Sequence, residues 1–140
     1  MFKPAVIAVL LVSTVPALAE SWAVTCPAST PGPWPDSQVC SEGKMLAFTP
    51  PTPTTEMVLK IRAPRSHCSE VTYLIHLFPG SSDPIATLER LKPSERKTVK
   101  LGNAWADGEN FITVTGVGHT GGCNVGMIHS FGAETEIVPR

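Results

Sequence analysis

The sequence predicts an all-β domain folded as a two-sheet sandwich of about seven or eight strands. Val, Ile and Thr recur in short runs, and the chain has 14 Pro and 11 Gly, residues that mark turns. Short β-branched runs separated by turn residues at regular intervals are typical of antiparallel sandwiches. Strong helix formers are not concentrated in any long window, so a helical fold is not favoured.

Residues 1–19 have the pattern of a cleaved secretory signal peptide. A short start containing Lys3 precedes an uncharged apolar run over residues 4–16, and Ala17-Leu18-Ala19 matches the small-x-small cleavage site. The apolar run is too short to cross a hydrocarbon core of ~30 Å, which takes about 20 helical residues. We therefore expect residues 20–140 to form a single exported domain, periplasmic in a Gram-negative bacterium and extracellular elsewhere.

The charge balance argues against two classes of partner. The whole chain has a formal net charge of −1, and loss of Lys3 with the signal leaves about −2. Nucleic-acid binding and electrostatic membrane tethering both need clustered basic residues. We therefore predict no nucleic-acid partner, and because the chain has no second long apolar run we also predict no membrane span.

Four cysteines, an even number, predict two disulfide bonds in an exported chain. Four cysteines allow three pairings, and we favour Cys26–Cys40 together with Cys68–Cys123. The first bond pins the Pro-rich N-terminal segment, and the second ties two strand ends together. Loop entropy makes such bonds worth about 3 and 4 kcal/mol. The chain has no C-x-x-C spacing, so the pattern of a thiolate metal site is absent.

In the first half of the domain, a segment predicted to be irregular is followed by one in which apolar and polar residues alternate. Residues 20–43 hold several Pro and two of the cysteines, and we expect irregular structure pinned by a disulfide. Met57, Leu59 and Ile61 alternate with mostly polar neighbours, which predicts a half-buried strand.

The second half begins with the most apolar run, residues 71–78, which predicts a central strand. Residues 85–91 are predicted as a strand, with a short helix as the alternative because Asp83-Pro84 is typical of a helix start. Residues 116–122 are predicted as a Gly-rich loop. The predicted strands are 44–49, 56–63, 71–78, 85–91, 98–101, 110–117, 123–131 and 133–138.

The apolar positions of these strands define a predicted core. It consists of Leu59, Ile61, Leu74, Leu77, Val99, Ile112, Val114 and Ile128. Trp22 and Trp105 are expected to cap this core. Trp34 lies between two prolines and is expected to be exposed, where an aromatic ring can serve as a binding hot spot.

One segment resembles a known family. The runs Leu91-Lys92-Pro93-Ser94-Glu95-Arg96-Lys97-Thr98-Val99 and Asp107-Gly108-Glu109-Asn110-Phe111-Ile112-Thr113-Val114 resemble the "L-x-P-G-E-x-x-T-V … G-x-N-x-I-x-V" pattern of bacterial immunoglobulin-like modules, the adhesion-related CARDB type being nearest. The match covers under a third of the mature chain, and Ser94 stands where those modules usually have Gly. The resemblance implies an immunoglobulin-like sandwich with a binding or structural role.

The sequence offers little support for catalysis. Residues 116–121 match G-x-G-x-x-G, but the following Gly-rich stretch predicts no helix and the chain predicts no βαβ unit. No G-x-S-x-G motif is present. Glu134 and Glu136 share one strand face at period two, as in a solvated face rather than an acid–base pair. We therefore predict that the protein is not an enzyme.

A metal site is the alternative with the most sequence support. His119, Met127 and His129 lie near Cys123, and on a β-sandwich such residues can bind copper or zinc. The order Cys, Met, His differs from the Cys, His, Met order of blue-copper loops. If the protein binds a metal, these three residues are the expected ligands, with Met127 and His129 on one face of a strand.

These observations favour one function and leave two alternatives open. The favoured function is an exported, non-enzymatic module without a cofactor that recognises a protein or a surface glycan through its loops, with Trp34 and His119 as binding residues. The first alternative is a small periplasmic copper- or zinc-binding protein. The second is a secreted hydrolase inhibitor that inserts the Pro-rich loop 27–39 into a cleft.

Overall fold

The computed structural model describes residues 19–26, 30–80 and 82–140. Most of the predicted signal peptide, residues 1–18, and residues 27–29 of the Pro-rich loop lie outside the described residues. Within the described ranges the chain forms nine β-strands and no helix, which confirms the all-β prediction. The strands are β1 (Glu20–Val24), β2 (Ser37–Val39), β3 (Lys44–Phe48), β4 (Met57–Arg62), β5 (Val71–Phe78), β6 (Ala86–Leu91), β7 (Arg96–Gly102), β8 (Asn110–His119) and β9 (Phe131–Pro139).

The strands form two antiparallel sheets, as expected for a sandwich. The four-stranded sheet has the order β1-β9-β4-β7, and the five-stranded sheet has the order β2-β8-β5-β6, with β3 also pairing with β8. Strand β8 is the longest of these strands. One of its edges pairs with β5, and the other edge pairs with β3 along its first half and with β2 at its end. No helix in the described residues is long and apolar enough to span a membrane.

The core lies between the two sheets and follows the period-two pattern. Met57, Leu59 and Ile61 on β4 are buried, as are Ile112 and Val114 on β8. Burial of one such aliphatic side chain stabilises the fold by about 1.5–3 kcal/mol. Six of the eight predicted core residues are buried, and Trp22 lies in the core as expected. Trp105 packs edge-on against Phe48, with ring centroids 5.0 Å apart.

Two core predictions on β5 are wrong. Leu74 is only half-buried and Leu77 is 39% exposed, whereas Val71, Tyr73 and Ile75 are fully buried. A run that is apolar at nearly every position contains no alternation, so it does not show which residues point inward. Leu74 points to the outer face of the sheet, and Leu77 lies next to the strand's last residue.

Three predicted segments also differ from the structure. Residues 20–43 are not wholly irregular, because they contain β1 and β2. Residues 123–131 do not form a strand, since β9 begins only at Phe131 and a Gly121–Asn124 turn precedes it. The short-helix alternative for residues 85–91 is wrong, because Ala86–Leu91 forms β6.

Gly116 and Gly118 lie inside β8 rather than in the predicted loop. A Cβ atom at Gly116 would collide with Val24, and one at Gly118 would collide with Ile128 and approach the Cys40 sulfur. The two glycines therefore allow other chain segments to approach the strand closely.

The disulfides follow the favoured pairing, Cys26 with Cys40 and Cys68 with Cys123. The first bond ties β1 to the segment after β2. The predicted disulfide in the N-terminal region is therefore present.

Candidate functional site

The outer face of the five-stranded sheet has two unlike halves. Since Ile112 and Val114 point into the core, the alternate residues of β8 point outward, and their register partners on β5 do the same. The outward residues are Phe111, Thr113, Thr115, Val117 and His119 on β8, and Thr72, Leu74, His76 and Phe78 on β5. We call the half around Thr72 and His119 the closed half, and the half around Phe78 and Phe111 the open half.

In the closed half, the chain covers its own sheet. His119 and Thr72 are 1% and 0% exposed although they lie on an outer face. Asp36 precedes β2 at one edge of the sheet, and Arg90 lies on β6 at the opposite edge. Their side chains meet in a two-pronged ion pair, with Arg90 nitrogens 3.0 and 2.9 Å from the Asp36 oxygens. This Asp36–Arg90 bridge spans β8 and β5 and covers the two residues beneath it.

Hydrogen bonds join the bridge to the sheet. His119 Nδ1 lies 3.4 Å from Asp36 Oδ1, and His119 Nε2 lies 2.8 Å from Thr72 Oγ1. Because an ionised carboxylate only accepts, Nδ1 is the protonated nitrogen, and Nε2 accepts from the Thr72 hydroxyl. The backbone N–H of Arg90 donates to the same hydroxyl at 3.0 Å. Arg90 has a φ of 51°, in the left-handed region that non-Gly residues rarely adopt. We infer that the hydrogen bonds offset this strain.

The charges of the closed half are set by these contacts. The hydrogen bond from Arg90 lowers the pKa of Asp36 to about 2, so the carboxylate is ionised at neutral pH. Burial lowers the pKa of His119 below its ordinary value of 6.5, and the positive charge of Arg90 acts in the same direction. The closed half therefore holds an ionised pair above a neutral imidazole.

The Asp36, His119 and Thr72 side chains have the order of a hydrolase triad, but the geometry does not fit nucleophilic attack. The Thr72 side chain is fully buried, and its hydroxyl is engaged with both His119 and the Arg90 backbone. A triad nucleophile must reach a substrate carbonyl. In this arrangement the three groups instead fasten the segment before β2 onto the sheet.

Trp34 covers the same cluster. Its ring packs on His119 with centroids 5.4 Å apart, and the residue is half-buried rather than fully exposed as predicted. His119, also predicted to contact a partner, is 1% exposed. Both residues therefore contribute to packing of the closed half, and His119 offers no surface to a ligand in this conformation.

A second polar network supports the closed half from the turn before β9. The Asn124 amide donates to Ser69 Oγ at 2.8 Å, and Ser69 Oγ donates to the His119 carbonyl at 2.7 Å. Asn124 Oδ1 accepts from the His129 backbone N–H at 3.1 Å. Buried His67 contacts Ser69 and packs against the Phe131 ring. The Cys68–Cys123 disulfide lies next to this network in the chain.

The predicted metal ligands are not brought together. His119 is buried beneath the Asp36–Arg90 bridge, whereas Met127 is 54% exposed and His129 is also exposed. Residues 125–130 form no strand, so the period-two argument for Met127 and His129 is wrong. Across residues 19–26, 30–80 and 82–140, no group of three or more His, Cys, Asp or Glu residues is placed to hold a metal ion.

In the open half, large apolar side chains of the sheet are exposed to solvent. Phe78 is 50% exposed, Met45 on β3 is 49% exposed, and Ile85 beside β6 is 39% exposed. Phe78 and Phe111 face each other across β5 and β8 in an edge contact, with centroids 6.2 Å apart. The outward residues here are Met45, Ala47, Leu74, His76, Phe78, Thr87, Phe111, Thr113 and Thr115, none of which is Lys, Arg, Asp or Glu.

Sequence reasoning missed both the bridge and the open half. Asp36, Thr72 and Arg90 are widely separated single residues, and no local motif connects them. The apolar run of residues 71–78 is a signal in the sequence, but it predicts a central strand with Leu74 and Leu77 in the core rather than an exposed surface.

Comparison with known proteins adds no family. No family model matches the chain, and no curated protein matches it. The resemblance to CARDB-type modules therefore stays a prediction.

Proposed function

We propose that this protein is an exported, non-enzymatic module that binds another protein through the open half of its five-stranded sheet. The observation that carries this proposal is the contrast within one sheet face. The chain covers the closed half with its own Asp36–Arg90 bridge and Trp34, whereas Phe78 and Met45 are exposed in the open half and Phe111 beside them is half-buried.

The chemistry of the open half supports a protein partner. Contiguous exposed apolar patches on small domains commonly mark interaction sites. Protein interfaces are enriched in aromatic residues and Met, and their centres are depleted of charge. Phe78, Phe111 and Met45 meet the first condition, and the lack of Lys, Arg, Asp and Glu among the outward residues of the open half meets the second.

Two further observations support export and a non-catalytic role. The pattern of residues 1–19 is that of a secretory signal, and both disulfides are of the kind that persist in oxidising compartments. The Asp36, His119 and Thr72 array, which has the residue types of a hydrolase, has its hydroxyl buried. A binding function accounts for the exposed apolar surface and requires no catalytic role for Asp36, His119 and Thr72.

Site-specific photo-cross-linking in the native host tests the proposal. Benzoylphenylalanine replaces Phe78, and in a matched control it replaces Val125, which is 82% exposed on the loop before β9. We expect a single cross-linked protein from position 78 that is absent from position 125 and is lost when Met45→Arg is added. Equal cross-linking at both positions, or none at position 78, would contradict the proposal.

A further inference from the structure

The opposite face of the sandwich, the outer face of the four-stranded sheet, has a different chemistry. A hollow of about 280 Å³ lies along β4, lined by Lys60, Arg62, Arg96, Lys97, Glu134 and Glu136. We call it the charged groove. The proposed function makes no use of it, because the open half lies on the other sheet.

Strand register arranges five of these charges in two rows across the sheet, and Lys97 lies between the rows as the register partner of Ile61. In one row Thr98, Lys60 and Glu136 lie side by side, on β7, β4 and β9 in turn. The neighbouring row carries Arg96, Arg62 and Glu134 on the same three strands. The β7–β4 side of the groove is therefore cationic, and the β9 side is anionic.

The cationic side contains an unfavourable pair. Arg62 and Arg96 are direct register partners, and like charges directly opposite each other destabilise a sheet. Glu134 offsets Arg62, with Oε2 3.3 Å from Nη1. Among the described residues, Lys60 and Arg96 form no ion pair within 4.0 Å. An anion bound between the two arginines would remove this repulsion.

The spacing of the charges matches an extended peptide. Residues two apart on a strand are about 6.8 Å apart on the same face. Lys60 and Arg62 on β4 have this separation, and so do Glu134 and Glu136 on β9. An extended peptide points successive side chains to opposite sides with the same repeat. Lying above the boundary of β4 and β9, it would direct one set of side chains to the cations and the other set to the carboxylates.

We propose that the charged groove binds an extended segment of another protein in which acidic and basic residues alternate. The acidic side chains pair with Lys60, Arg62 and Arg96, and the basic side chains pair with Glu134 and Glu136. A uniformly anionic polymer, such as an acidic polysaccharide, is disfavoured because the two glutamates repel it. The pattern of charge, rather than net charge, is what the groove recognises.

Fluorescence anisotropy with synthetic peptides tests this. The probe is a labelled Glu-Lys-Glu-Lys-Glu-Lys hexapeptide, and the matched control is Glu-Glu-Glu-Lys-Lys-Lys, which has the same composition. We expect the alternating peptide to bind about tenfold more tightly than the block peptide, with affinity that falls as salt rises. Labelled heparin and a labelled hexaglutamate peptide test whether the groove binds a uniformly anionic polymer instead.

Variants separate the groove from general electrostatics. Arg96→Glu should weaken the alternating peptide about tenfold, whereas Lys92→Glu, on the turn before β7, should change it less than about twofold. Glu136→Lys should weaken the alternating peptide and strengthen hexaglutamate. Melting curves establish that each variant is folded. If Arg96→Glu does not fold, Arg96→Gln takes its place as the variant that removes the positive charge.

Three results would overturn the proposal. Equal affinity for the alternating and block peptides would show that charge order is not read. Heparin binding that depends on Arg96, without binding of the alternating peptide, would assign the groove to a polyanion. Absence of binding by every probe would remove the groove as a peptide site.

Discussion

The closed and open halves of one sheet face differ in how far their outward-facing side chains are exposed to solvent. In the closed half, His119 and Thr72 point outward but are buried under the Asp36–Arg90 bridge and Trp34. In the open half, Phe78 occupies an equivalent outward position and is 50% exposed. The chain covers the polar pair His119 and Thr72, whereas in the aromatic pair Phe78 is exposed and Phe111 is half-buried. This difference in exposure is the basis of our proposal that the apolar half binds a partner.

The largest expected effect distinguishes two histidines on this face. His119→Ala removes a buried side chain and leaves the Thr72 hydroxyl without its imidazole partner, so it should lower the free energy of unfolding by about 2–4 kcal/mol. His76 lies on the same face in the open half, and His76→Ala should cost less than about 0.5 kcal/mol. Urea unfolding measures both. Equal costs would show that the two halves do not differ in packing.

The second effect is a loss of stability in mild acid. Burial lowers the pKa of His119 and of His67 in the folded protein. The unfolded chain therefore binds protons more readily, and the free energy of unfolding falls as pH decreases below about 6.5, until the lowered pKa values are passed. Urea midpoints between pH 8 and pH 5 measure this fall. His119→Gln should reduce the slope, and an unchanged slope would show that His119 does not contribute.

A smaller effect is expected from the bridge itself. Arg90→Ala removes the ion pair that covers His119, so it should lower the melting temperature and shift Trp34 fluorescence toward that of a hydrated indole. Arg90→Lys keeps the charge but not the two-pronged geometry, so it should fall between Arg90→Ala and the unaltered protein. Lys92→Ala is the control. If Arg90→Ala leaves hydrogen exchange at the His119 amide unchanged, the bridge does not hold the closed half together.

The smallest expected effect on stability lies in the open half. Phe78 is half exposed, and its ring contacts Phe111 edge-on. Phe78→Ser should therefore change the free energy of unfolding by less than about 1 kcal/mol, within the usual range for surface positions. A loss comparable with that of His119→Ala in the same urea series would mean that Phe78 belongs to the core.

Local patterns in the sequence were enough for much of the fold. The alternation of Met57, Leu59 and Ile61 predicted a half-buried strand, and the even number of cysteines predicted two disulfides, both of which the structure contains. The first signal lies within one short segment, and the second needs only the number of cysteines, so both can be found without knowledge of the fold. The sequence predicts a loop at Gly116 and Gly118 because glycine is common both in turns and where chain segments pack closely. Only the approach of Val24 and Ile128 in the folded protein distinguishes these two cases.

The candidate site was not predictable in the same way. The bridge joins Asp36 to Arg90 across a sheet, and its partner His119 lies further along the chain. Each is a common residue in an ordinary local context, so only the sheet order brings them together. On β5, an unbroken apolar run hid which residues faced outward, and this concealed the open half.

The most direct test of the account is the affinity for the protein that cross-links at position 78, measured by titration calorimetry with two variants. Phe78→Arg places a charge in the centre of the open half and should weaken binding about 100-fold, as for a central interface residue. Trp34→Ala, in the closed half, should change affinity less than about twofold. The opposite order, with Trp34 essential and Phe78 dispensable, would contradict the account and return the binding site to the Pro-rich loop.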